Sequence, residues 1–131
     1  MATEGFVYLA YTQAVVEHIE LMRRYEETRY GVFDRTLVES ALARPQQAVV
    51  YEVADLSAQA ATLCFGLIKN HLWVGGNKRT ASFLTETFLE MNDWELIATD
   101  EKIIEMVLAV ESDVWEVDEI EKWLRINVEK I

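Results

Sequence analysis

Proline and glycine are scarce in this chain, with one Pro and five Gly in 131 residues. All-β folds need such residues to punctuate their many turns, so the shortage favours helices throughout. Cysteine is scarcer still. A lone Cys64 in an apolar stretch has no partner for an internal disulfide and behaves as a small hydrophobe, which suits a reducing cytoplasm. No apolar run approaches the roughly 18 residues a membrane span needs, and the start, Met-Ala-Thr-Glu-Gly, has neither the basic residues nor the apolar core of a signal peptide. A soluble, cytoplasmic protein is the expectation. Positive charge is short as well, 12 Lys and Arg against 23 Asp and Glu, for a net charge of −11. Binding to DNA or RNA rests on neutralising phosphates with Lys and Arg, so this balance opposes a nucleic-acid partner.

Apolar residues make up 51% of the chain, enough to bury a core at the size of one ordinary domain, so a single domain over residues 1–131 is expected. The charge is uneven. Residues 56–85 contain no Asp or Glu, yet Lys69, His71, Lys78 and Arg79 all fall among them. We call this stretch an acid-free island.

Helical spacing begins at about residue 12, with Val15, Val16, Ile19 and Met22 on one side and Glu17, Glu20 and Arg24 on the other, and runs to about residue 27. Tyr30-Gly31 ends that helix. Asp34-Arg35-Thr36 offers capping side chains for a second, which Arg44-Pro45 is expected to stop near Ala43. Residues 55–70 are apolar nearly all round, the mark of a buried central helix. Periodicity resumes over residues 77–91 through Ala81, Leu84, Phe88 and Met91, with Asn92-Asp93 as the stop. Residues 94–98 suit a short extended piece, Thr99-Asp100 caps a helix over about 101–110, and a last helix covers about 117–128 with Ile120, Trp123, Leu124 and Val128. Residues 6–9 form a strand edge or a packed tail. The expected fold is all-α, a compact bundle of about six helices with at most a short β piece; no internal repeat or linker interrupts it.

Between the two central helices lies His71-Leu72-Trp73-Val74-Gly75-Gly76-Asn77-Lys78-Arg79-Thr80, two glycines directly before a helix start. Backbone N–H groups there have no intrahelical partner, glycine permits the turn that aims them at one point, and the helix dipole favours negative charge. Lys78 and Arg79 add full positive charge, Arg79 as a fork for two phosphate oxygens. His71 can fold back towards the bound anion as a general base for an incoming hydroxyl. This is the logic of phosphoryl or nucleotidyl transfer. On spacing alone, a lone histidine near a helix end more often makes a structural hydrogen bond than catalyses.

HLWVGGNKRT resembles the Fic/Doc signature, H-x-F-x-(D/E/N)-(A/G)-N-(G/K)-R, without a gap. The lysine at position 78 resembles the Doc (death-on-curing) branch, where Fic adenylyltransferases usually carry glycine. YGVFDRTLVESALARPQ, beginning at Tyr30, is similar to the Doc segment after the first helix, and FLEMN from Phe88 to Asn92 to the family's FL-x-x-N helix ending. The resemblance implies the Fic/Doc all-helical bundle, with His71 as the residue that deprotonates the target hydroxyl and Gly76, Asn77, Lys78 and Arg79 as the holders of nucleotide phosphates. It implies ATP and Mg2+ as cofactors and, for the Doc branch, transfer of the γ-phosphate to a protein target; for the best-known member that target is a threonine of the translation factor elongation factor Tu. It further implies a toxin of a toxin–antitoxin pair, a monomer silenced by its cognate antitoxin protein.

The sequence departs from the signature at Gly75, where the family usually has an acidic or amide side chain that coordinates magnesium. Phosphoryl transfer leans on such a metal to offset developing charge, and the acid-free island offers no nearby substitute. Three readings of Gly75 stay open: a weakened enzyme, which Gly75→Asp is expected to strengthen; a catalytically inactive module that binds nucleotide or a partner; and a change that disarms a toxic protein. An adenylyltransferase of the Fic type is the remaining alternative. Trp73 for Phe is a milder change, since either ring anchors the loop. His18 reads as a surface or packing residue, and Trp115 with Trp123 as the wall of an exposed groove for an antitoxin helix.

Overall fold

The computed structural model describes residues 5–131, so residues 1–4, part of the start read above as lacking a signal peptide, lie outside the described residues. Three side chains fix helix starts by accepting an orphan backbone N–H: Asp34 from Leu37 at 3.1 Å, Asp55 from Ala58 at 3.1 Å and Thr99 from Lys102 at 3.3 Å. Among the described residues the order is α1 Tyr11–Arg24, α2 Arg35–Glu52, α3 Leu56–Lys69, α4 Asn77–Met91, β1 Trp94–Leu96, α5 Asp100–Glu111, α6 Val117–Asn127 and β2 Val128–Lys130. The fold is all-α with one small β piece.

The helix that is apolar all round, α3, forms the centre, and α2, α4, α5 and α6 pack around it. Its residues Ala60, Leu63, Cys64 and Leu67 are buried together with Leu84 and Phe88 of α4, Met106 and Val110 of α5, and Ile120 and Leu124 of α6. Burial pushes the Cys64 thiol up to about 11, which leaves it a packing group rather than a nucleophile. No helix among the described residues is long and apolar enough to cross a membrane.

Three boundaries differ from the sequence reading. First, α2 does not stop before Pro45 but runs through it to Glu52. Proline there forfeits its own N–H bond and crowds the carbonyl one turn back, and tertiary packing outweighs that cost: Pro45 and Val49 are buried, and Arg44 Nε donates to the carbonyl and hydroxyl of Thr62 on α3 at 2.8 and 3.0 Å. Second, α1 ends at Arg24, and Glu26 turns the chain at φ 56°. Third, the last helix stops at Asn127, whose amide donates to the Trp123 carbonyl at 2.8 Å, and the chain then pairs antiparallel with β1 in the register Trp94↔Lys130, Glu95↔Glu129, Leu96↔Val128. A three-residue strand needs a partner for its backbone groups, and that partner lies too far along the chain for local periodicity to reveal. Near the N-terminus the packed tail is what forms. Leu9 is buried, and the Asn92 amide satisfies Val7 by accepting its N–H at 2.8 Å and donating to its carbonyl at 2.9 Å.

Candidate functional site

The connection from α3 to α4 turns on Gly76, which caps α4 in the left-handed conformation at φ 68° and supplies no capping side chain. The first-turn N–H groups of α4, at Asn77, Lys78 and Arg79, therefore have no capping side chain, and a helix N-terminus of this kind favours negative charge. Asn77 closes the loop before it. Its Oδ1 accepts from the N–H groups of Leu72 at 3.1 Å and Trp73 at 3.0 Å, and its Nδ2 donates to the Trp73 carbonyl at 2.9 Å. Both acceptor sites of Oδ1 and one hydrogen of Nδ2 are engaged with backbone, which leaves Asn77 its main-chain N–H and the second Nδ2 hydrogen to offer an anion. Leu72 and Trp73, both completely buried, anchor the loop from beneath, although the indole N–H of Trp73 finds no acceptor among the described residues.

A second segment, residues 29–34, lies alongside. Val74 donates to the Gly31 carbonyl at 2.9 Å, Phe33 donates to the Leu72 carbonyl at 2.9 Å, and Val32 bridges Trp73. Phe33 stands edge-on to His71, with ring centroids 4.7 Å apart and planes at 80°. His71 is exposed. It sits one residue before the loop that Asn77 ties to α4, open to a hydroxyl arriving from solvent.

The two cations are not idle. Lys78 Nζ lies 3.3 Å from Glu111 of α5, and Arg79 lies 3.1 Å from Glu27, with its guanidinium 3.9 Å over the Tyr25 ring. The acid-free island of the sequence is therefore not acid-free in space. Helix α1 ends early enough to release Glu27 towards Arg79, and no local pattern signals either partner. Both pairs are about half exposed, the kind worth little in water, so a polyphosphate with several negative oxygens can displace them.

Gly75 has a structural reason to be glycine. A Cβ added there would fall within the van der Waals sphere of the Arg29 carbonyl oxygen. The place from which a metal-binding side chain would project is filled by backbone, and among the described residues no group of three or more His, Cys, Asp or Glu is placed to hold a metal ion. The residues present do not fit a magnesium ion held by the protein at this position. The expectation that Gly75→Asp strengthens the site is thereby reversed: the carboxylate can enter only if the Arg29 backbone moves, in the segment whose Phe33 meets His71. We expect Gly75→Ala and Gly75→Asp each to destabilise the fold by about 1–3 kcal/mol, the range for overpacking a close contact, read as a lower urea midpoint, with no gain in transfer for the Asp variant. A variant of native stability with raised turnover would remove this account of Gly75.

Trp115 and Trp123 are both half-buried and packed against the core. An open cavity of about 480 Å³ lies between α1, α4 and α5, with Leu21, Phe83, Ile103 and Val107 in its lining beside Lys78 and Arg79. Glu86 also lines it, and its carboxyl is raised by burial first, then by the charges of Glu90 and Asp100. Sequence reading had no means to find this cavity, since its walls come from three separate helices.

The comparison with known proteins agrees with this arrangement. A model of the Fic/DOC family matches residues 8–89, more than half of the chain, and takes in every residue of the loop and of segment 29–34. A relative, "Toxin Doc" of Mycolicibacterium smegmatis, is 46% identical over 70 residues, which are 51% of this chain and 53% of that protein. The chain thus spans about half the length of the curated relative it matches. With HLWVGGNKR folded as a loop that opens onto an uncapped helix start and the family match running across it, the chain belongs to the Fic/Doc family.

Proposed function

We propose that this protein is a Doc-type toxin of the cytoplasm that moves the γ-phosphate of ATP to a hydroxyl of a protein target, a translation factor such as elongation factor Tu. The observation that carries this reading is the pairing of an uncapped, dipole-backed helix start flanked by Lys78 and Arg79 with an exposed His71 at the other end of the same loop. The target hydroxyl oxygen attacks the γ-phosphorus, its proton passes to the His71 imidazole, and the bond to the ADP oxygen breaks, so ADP leaves with the electron pair. Charge on the phosphate oxygens is met by the main-chain N–H groups of residues 77–79 and by Lys78 and Arg79 once Glu111 and Glu27 give way. Gly76 makes the turn that exposes those N–H groups. The relative's printed name supports the toxin half of the reading. A cognate antitoxin is the natural partner, and the apolar cavity between α1, α4 and α5 beside Lys78 and Arg79 suits side chains of an amphipathic helix that would also cover the cations.

Two observations favour a second reading, a module that binds nucleotide or partner without catalysis: position 75 provides no metal ligand, and both cations are already paired. The deciding experiment incubates the protein and elongation factor Tu with magnesium and ATP labelled at either the γ- or the α-phosphate. Label from γ is the expected result. Label from α makes the protein an adenylyltransferase, and no label from either, with ATP binding intact, leaves the binding module.

A further inference from the structure

One buried polar side chain outside the phosphate site touches each of its parts. His18 lies in the middle of α1 and is completely buried. Its Nε2 accepts the Gly31 N–H at 3.0 Å, which leaves Nδ1 as the protonated nitrogen, and Nδ1 lies 2.8 Å from Thr80 Oγ1, to which it donates. The ring is thus neutral, in one tautomer, with both nitrogens satisfied. Its face stacks on Trp73, with centroids 4.2 Å apart and planes at 17°. Packing alone needs none of this; a leucine or phenylalanine fills such a space without two directed bonds.

What the two bonds connect gives them their meaning. Thr80 belongs to the first turn of α4, its N–H donating to the Gly76 carbonyl at 2.9 Å, and so moves with Asn77, Lys78 and Arg79. Gly31 accepts the Val74 N–H through its carbonyl, and two residues on, Phe33 rests against His71. Arg29, two residues before Gly31, presses its carbonyl on Gly75. Trp73, under the imidazole, lies between the two.

We propose that His18 is a positioning residue that holds the phosphate-binding turn of α4 and the segment bordering His71 in register, by bonding Thr80 with one ring nitrogen and Gly31 with the other across the Trp73 ring. The inference rests on the transfer reading for its catalytic consequence, but its geometry is tested without it. Among the described residues no other side chain hydrogen-bonds both elements, so loss of either bond loosens one element and leaves the other in place.

Two conservative variants separate the bonds. His18→Asn puts an amide nitrogen near Nδ1, keeping Thr80 and losing Gly31; His18→Gln puts an amide oxygen near Nε2, keeping Gly31 and losing Thr80. Backbone amide exchange of the whole chain without nucleotide is the first readout. We expect exchange to rise about tenfold in residues 29–34 for the Asn variant and about tenfold in residues 76–80 for the Gln variant, each with the other segment within about twofold of native. Thr80→Val, which removes only the hydroxyl, reproduces the Gln pattern. The second readout is ATP titration and γ-label transfer at a temperature below every midpoint. The Asn variant keeps the native ATP Kd within about twofold and loses about tenfold in kcat, whereas the Gln variant weakens ATP binding about tenfold. Exchange that rises equally across the core in both variants, or losses of binding and turnover that track stability alone, would overturn the proposal and leave His18 a packing residue. Should the native protein transfer no label, the function proposed above fails, while the exchange pattern still decides the role of His18.

Discussion

Under the transfer proposed above, His71→Ala is expected to lower γ-phosphate transfer by about 10²–10⁴-fold, the contribution of a positioned general base, and to relieve growth arrest in the same measure. ATP affinity stays within about twofold of native, because the imidazole serves the incoming hydroxyl and not the nucleotide already bound. Stability changes little: the ring is exposed, meets Phe33 at its edge, and the loop after it is held by Asn77, Leu72 and Trp73. That combination, turnover lost with binding and folding retained, distinguishes a base from a structural histidine. An alanine variant as toxic as the native chain removes His71 from the mechanism, and one that binds ATP tenfold less tightly places it on the phosphates instead.

The fold was largely readable because its signals are local. Asp34, Asp55 and Thr99 each announce a helix start within three residues, and each accepts the N–H that a cap should accept. The uninterrupted apolar surface of residues 56–69 marked α3 as central. What escaped is non-local. Pro45 breaks a helix unless packing compensates, and the compensation comes from Thr62 across the α2–α3 contact. The partner of β1 lies at the other end of the chain, and nothing in the alternation of residues 128–130 separates a strand from one more helical turn.

The site divides in the same way. His71, Gly76, Asn77, Lys78 and Arg79 are contiguous in sequence, and the turn at Gly76 follows from the glycine itself. The groups that tune them are not contiguous. Glu27 and Glu111 arrive from the ends of α1 and α5, and Arg29 meets Gly75 only because segment 29–34 runs beside the loop. A glycine at a signature position reads from sequence as a lost ligand; in three dimensions it is also a place where backbone meets backbone. His18 shows the limit most clearly. Helical periodicity places it on α1, but no pattern tells which of its neighbours a buried imidazole will find, and it was read as a surface or packing residue.

That imidazole makes the native protein lose about 3 kcal/mol of stability on acidification from about pH 6.5 to pH 4. Burial lowers the His18 pKa from 6.5 to about 4, so between those values the unfolded chain takes up a proton that the folded chain refuses. Stability therefore rises with pH across this window, is constant for this group above it, and falls by about 1.4 kcal/mol per pH unit within it. Protonation in the folded state would also set an Nε2–H against the Gly31 N–H and break the bond to segment 29–34. Other groups act with differing sign as pH falls: the raised Glu86 favours folding, and the lowered Asp55, held down chiefly by its hydrogen bond to Arg125, disfavours it. The His18 part is isolated by comparing native and His18→Gln proteins, which share every other group. Urea midpoints at intervals from about pH 7 to pH 4.5 should fall more steeply for the native protein, and the two curves should converge as pH drops, although the variant starts lower for want of its bond to Thr80. Parallel curves would mean that the imidazole is not held neutral, and with it would go the tautomer on which its two bonds depend. Against a total of about 5–15 kcal/mol for a protein of this size, a loss of that order is a sizeable share of the margin, and its convergence with the variant's curve reports the buried ring and nothing else.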